Sequence, residues 1–95
     1  MIKVNKGEIS KAIRDARYYY TMGVEVKSVF ACINNQRLEY TVVTEQAEPA
    51  TNEVLDLTDL INEYLYKGTL NLAKTTTKAY EMVQAFVSAK EGEQC

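Results

Sequence analysis

Apolar residues recur at steps of three and four near the start of the chain. Ile9, Ala12, Ile13, Ala16, Tyr19 and Tyr20 fall on one face of an α-helix at that spacing. Asn5 is placed to cap the helix, and Glu8, three residues on, to reach back as in a capping box. Gly23 is placed to end it, because glycine takes the left-handed conformation at a C-terminal cap without strain. The pattern predicts a helix over residues 6–22.

Two strand-like runs follow. Residues 24–33 read VEVKSVFACI: the first half alternates and the second half is apolar on both sides. That predicts a central strand covered on both faces at one end. Residues 37–44, RLEYTVVT, alternate cleanly, and Asn34-Asn35-Gln36 between them suits a hairpin turn. Residues directly opposite each other share a face of the sheet. A two-residue loop that sets Phe30 opposite Glu39 mixes apolar with charged. A three-residue loop sets Phe30 opposite Tyr40, Cys32 opposite Leu38 and Ser28 opposite Val42, which makes one apolar side. The three-residue loop is therefore expected.

The polar, acidic segment 45–53, with the chain's single proline, predicts an exposed connector. Val54-Leu55-Asp56-Leu57 fits either a short third strand or the first turn of a helix. Leu57, Leu60, Ile61, Tyr64 and Leu65 are helically spaced, and Gly68 supplies a stop. A last helix is expected over 70–90, with Leu72, Ala73, Thr76, Ala79, Tyr80, Val83, Phe86 and Val87 inward and Lys74 and Lys78 outward. The tail 91–95 is expected to fray. Thr75, Thr76 and Thr77 are weaker helix formers than alanine or leucine, so packing must hold that stretch; they could mark a close helix–helix approach. The order implies one α+β domain over 1–95: an N-terminal helix, an antiparallel hairpin with or without a third strand, and two C-terminal helices packed on one face.

Composition narrows the function classes. A chain of 95 residues has room for one ordinary domain and buries a thin core. Eleven basic and thirteen acidic residues give a net charge of −2, which argues against a dedicated nucleic-acid binder. Lys3, Lys6, Lys11, Arg14 and Arg17 make the early part locally basic, and acidic residues gather between Glu45 and Glu63. Of the two cysteines, Cys32 reads as a small buried hydrophobe and Cys95 as a mobile last residue; no CxxC spacing exists. The first residues lack the apolar core of a signal peptide, and no apolar run approaches the roughly 20 residues of a membrane span. A cytoplasmic location is expected.

Catalytic and cofactor chemistry finds little support. Histidine is absent, which removes the usual general base and the commonest metal ligand. Ser10, Ser28 and Ser88 lie in no nucleophile motif, and no glycine lies in a phosphate-cradling one. Asp56, Asp59 and Glu63 form the one tight carboxylate group. Helix N-termini collect carboxylates for capping and dipole reasons alone, so a structural role is expected and a metal site is not. No cofactor and no enzyme activity are predicted.

Tyrosine is the unusual feature, with seven in the chain and no tryptophan. Tyr18, Tyr19 and Tyr20 radiate from the end of the first helix and cannot all face one core. With Arg14 and Arg17 one turn earlier, they form a candidate binding surface, because Tyr and Arg are favoured at protein hot spots. A bland alternative puts Tyr19 and Tyr20 in the core and leaves only Tyr18 outside. Two functional expectations follow. One is a non-enzymatic binding protein acting by protein–protein contact, in the manner of small phage inhibitors of host proteins. The other is a homo-oligomer that sequesters a small molecule or nucleotide in Tyr- and Arg-lined pockets. In both a homodimer is expected, with Tyr80, Val83 and Phe86, or the tyrosine run, at a contact of about 800 Å² per subunit.

Overall fold

The computed structural model describes residues 2–45 and 54–93. Helix α1 spans Lys6–Thr21 and is followed by strands β1 (Ser28–Asn34), β2 (Arg37–Val43) and β3 (Val54–Asp56). Helix α2 (Thr58–Asn62) continues as a π-helical stretch, Glu63–Lys67, and helix α3 spans Leu72–Glu93. The fold is α+β, with an antiparallel sheet in the order β2-β1-β3. Within the ambiguous segment 54–57, Val54–Asp56 is thus a third strand and Leu57 stands at the N-cap of α2. The connector predicted over 45–53 lies, apart from Glu45, outside the described residues.

The helix ends follow from local chemistry. The Asn5 side chain accepts a hydrogen bond from Gly7 N at 2.7 Å and caps α1. At the other end Gly23 sits at φ +80°, Gly23 N donates to Tyr20 O, and Val24 N donates to Tyr19 O. This is a Schellman closure, which uses carbonyls the helix leaves open. Gly68, at φ +66°, ends the π-helical stretch in the same left-handed conformation. Helix α3 continues through Glu91, whose Oε1 accepts from Ile2 N at 2.9 Å.

The hairpin differs from expectation. Asn34 pairs with Arg37, so the loop is the two residues Asn35 and Gln36. Ala31 stands opposite Tyr40, Cys32 opposite Glu39 and Phe30 opposite Thr41. The expected partners on β2 do face the core, but they meet Val29, Ala31 and Ile33 rather than Ser28, Phe30 and Cys32. A shift of one residue exchanges a strand's faces. The cause lies in the turn. Asn35 (φ 51°) and Gln36 (φ 60°) are both left-handed, the requirement of a type I′ loop. Glutamine seldom accepts that conformation, so the two-residue loop has no obvious signature in the sequence.

Helices α1 and α2 lie against the Val29–Ala31 side of the sheet, and α3 packs on α1 and α2. The core joins Ile9, Ile13 and Ala16 of α1 to Val26, Val29 and Ala31, to Leu57, Leu60, Ile61, Tyr64 and Leu65, and to Ala79, Val83 and Val87 of α3. Phe30, Cys32 and Val54 stand on the opposite side, outside that cluster and half-buried. Cys32 is therefore not a core residue, and β1 is central by position but packed by helices on one face only. Burial and the Glu39 carboxylate opposite push the Cys32 thiol pKa up. Cys95 lies outside the described residues.

Helix α3 is also rotated from expectation. Thr75, assigned no inward place, is fully buried, and Ala73 is exposed. The buried stripe is Thr75, Ala79, Val83 and Val87, a run of four-residue steps. The three threonines meet their hydroxyl needs within the helix: Thr75, Thr76 and Thr77 donate to the carbonyls of Asn71, Leu72 and Ala73 at 2.7–3.0 Å. That local bonding lets a polar residue occupy a fully buried position. Thr58 joins the layers: its N donates to Asp56 Oδ1 at 2.8 Å, and its Oγ1 accepts from Val29 N at 3.1 Å.

Candidate functional site

The core stripe of α1 ends at Ala16, and the last turn of the helix runs past the buried layer. Tyr18 is 62% exposed, Tyr19 38% and Tyr20 41%. The alternative that buries Tyr19 and Tyr20 is overturned, since both are exposed. The rings pack on one another or on a neighbour instead. Tyr18 and Tyr19 meet edge to face at 5.9 Å, and Tyr20 meets Tyr66 of the π-helical stretch at 5.1 Å and nearly perpendicular. The Tyr66 hydroxyl accepts from Val26 N at 3.3 Å, which fixes the ring against the segment after α1. Met22 and Val24, on that segment, are exposed too.

Six of the seven large apolar side chains exposed among the described residues thus come from the last turn of α1, its cap and Tyr66; Met82 is the seventh. An isolated surface apolar residue is ordinary, but a gathering of them at one end of a domain needs a reason. The candidate arginines divide. Arg17 stands over the Tyr64 ring at 5.7 Å, with Nη1 3.5 Å from the Tyr64 hydroxyl. Arg14 is exposed. The sequence offered no sign that Tyr66, Met22 and Val24 belong with the tyrosine run; only the chain's return through α2 brings Tyr66 there.

On the sheet side of α1 lies a groove of about 400 Å³, lined by Ala12, Asp15, Tyr18 and Tyr19 and by Tyr40 and Val42 of β2. Ala12 is small, which leaves room between helix and strand. The Tyr40 hydroxyl is buried and has no hydrogen-bond partner among the described residues. Burial first, and the Glu8 carboxylate second, push its pKa up to about 12 from an ordinary value of 10. In the fold the phenol therefore stays protonated where an unfolded chain's phenol ionises. Its contribution to stability is whole below about pH 10 and is lost as pH rises through about 12. Tyr40→Phe is expected to raise stability by roughly 1 kcal/mol at neutral pH, since an unsatisfied buried polar group costs about 1–3 kcal/mol. It is also expected to flatten the alkaline decline. Urea unfolding of both proteins at neutral and alkaline pH checks this, and equal stability with equal decline counts against it.

The residues expected at an oligomer contact are separated. Val83 is fully buried in the chain's own core and cannot meet a second copy. Tyr80 and Phe86 are half-buried and already dressed: the Lys6 ammonium lies 5.0 Å from the Tyr80 ring, Gln84 donates to its hydroxyl at 2.7 Å, and the Lys90 ammonium lies 5.9 Å from the Phe86 ring. Of the carboxylates, Asp56 caps Thr58 and Asp59 is exposed in the first turn of α2. No group of three or more His, Cys, Asp or Glu side chains that could hold a metal exists among the described residues. No helix among them is long and apolar enough to cross a membrane.

Comparison with protein-family models finds no match, and neither the curated proteins nor the solved structures contain a significant one.

Proposed function

We propose that the chain is a non-enzymatic binding protein whose contact surface is the aromatic end of α1 with Tyr66. The carrying observation is the gathering of Tyr18, Tyr19, Tyr20, Met22, Val24 and Tyr66 at one end, exposed. Tyrosine presents rigid apolar area with a hydroxyl at its tip, and methionine adapts to irregular partners; both are enriched where proteins meet. The T-shaped Tyr20–Tyr66 pair and the Tyr66–Val26 hydrogen bond hold part of the surface in place before contact, which lowers the ordering cost of binding. A phage-type inhibitor of a host protein is one form such a module takes, and a second copy of the chain is a natural first partner.

The test replaces Tyr20 by Ala together with Met22 by Ser, after circular dichroism establishes that the variant keeps its helix content. Binding of proteins retained by the immobilised wild-type chain is expected to weaken about tenfold or more, the scale of one strong hot spot. Lys78→Ser, on the exposed side of α3, is expected to leave it unchanged. Retention that ignores the aromatic end and responds to another face rejects the proposal. Light scattering assigns the partner: a mass that rises above the 10.8 kDa monomer with concentration, and returns to it in the variant, identifies a second copy.

A further inference from the structure

The groove between α1 and β2 has its own chemistry, distinct from the exposed end beside it. Along α1, Glu8, Ala12, Asp15 and Tyr19 follow one another at steps of four, three and four, which places them on one face of the helix. Two carboxylates therefore flank the small residue that opens the groove, and a tyrosine closes it. Tyr18 and Tyr19 both line the groove and meet edge to face, inclined at 70° with centroids 5.9 Å apart, and Tyr40 supplies a further ring from the sheet. Among the described residues no Lys or Arg lines the groove, and Asp15 forms no ion pair. Arg17, the cation closest in sequence to the tyrosine run, is engaged with Tyr64 instead.

The faces of aromatic rings are electronegative, so rings at steep angles around a small space attract a cation, and a carboxylate at the edge adds to the attraction. A phosphate or other anion meets repulsion from Asp15 and Glu8 and finds no basic residue among those that line the groove. The groove's volume lies within the range of small-ligand sites, about 300–1,000 Å³. We propose that this groove binds a quaternary ammonium group, held by the rings of Tyr18, Tyr19 and Tyr40 and by the carboxylate of Asp15. A quaternary ammonium fits better than an inorganic or primary ammonium ion. Its charge is spread over methyl groups, it is weakly hydrated, and its methyls also pack against Val42 and Ala12. The charge complementarity selects the ligand class, and the Tyr20–Tyr66 contact surface is not needed for it.

Choline is the probe, and its neutral carbon analogue 3,3-dimethylbutan-1-ol, of the same shape, is the control. In an NMR titration of the full chain, choline is expected to move the ring signals of Tyr18, Tyr19 and Tyr40 saturably. The neutral analogue is expected to bind about tenfold more weakly, the loss of a partly desolvated cation–π contact. Asp15→Asn keeps the side-chain shape at an exposed position and is expected to weaken choline several-fold; Tyr18→Leu, also exposed, is expected to do the same. Inorganic phosphate is expected to leave the three rings unmoved. Equal binding of choline and its neutral analogue, choline shifts confined to other residues, or no saturable shift at all each overturn the proposal.

Discussion

Val83→Asp is expected to leave the chain unfolded at neutral pH, whereas Phe86→Asp, three residues on, is expected to keep the fold. Val83 is fully buried, in a core cluster of hydrophobic side chains drawn from α1, α2, α3 and the sheet. A carboxylate there loses its water and gains no cationic partner, at a cost of at least about 3–5 kcal/mol. A small domain commonly has only about 5–15 kcal/mol of stability in all, and the same substitution also removes the valine's own packing. Phe86 is half-buried beside the Lys90 ammonium, so a carboxylate in its place reaches solvent and a neighbouring positive charge. Far-ultraviolet circular dichroism and a thermal melt of the two variants separate these outcomes. A folded Val83→Asp protein contradicts the placement of Val83 in the core.

Ile61→Ala is expected to lower stability by about 2–5 kcal/mol, the range for truncating a large buried aliphatic side chain. Ile61 is among the largest side chains that are fully buried, and it lies on α2, in the cluster that also holds Val29 and Ala31 of the sheet and Val83 of α3. The loss has two parts: the transfer of the removed atoms, and the cavity the surroundings fail to fill. Collapse is restricted here because α2 is only five residues long and is tied at its start by Thr58, which bonds to both Asp56 and Val29. Urea unfolding followed by fluorescence or dichroism measures the difference. A loss below about 1 kcal/mol means the site relaxes freely and α2 is not a fixed part of the core.

The two sites at the end of α1 are independent in chemistry. The exposed end is aromatic and apolar, suited to broad contact. The groove is aromatic and acidic, suited to a compact cation. Tyr18 and Tyr19 border both, so occupation of the groove can alter the contact surface without any movement of the helix. The nucleotide-sequestering alternative draws no support from the arginines, since Arg17 packs on Tyr64 and neither Arg14 nor Arg37 lines the groove.

Local patterning by itself determined the elements whose signals are local. Asn5 and Gly23 bound α1 because capping depends on one side chain and one backbone conformation, and Gly68 stops the π-helical stretch for the same reason. The α+β class follows from the order of periodicities, and the core positions Ile9, Ala12, Ile13 and Ala16 follow from a 3.6-residue period that admits one inward face. Tertiary structure decided the rest. β1 is apolar on both sides between Val29 and Ile33, so alternation could not choose its inner face; the left-handed Asn35–Gln36 pair and the helix layer chose it. Helix α3 carries apolar residues around more than half its circumference, so its own pattern left its rotation open, and packing against α1 and α2 selected Thr75 over Ala73. The tyrosine run was legible as a surface, but the residues that join it from other elements were not, for a related reason. Tyr66 joins Tyr20, and Tyr40 joins Asp15 and Tyr19, across long separations in the chain, and such meetings depend on where separate elements dock rather than on any spacing within one.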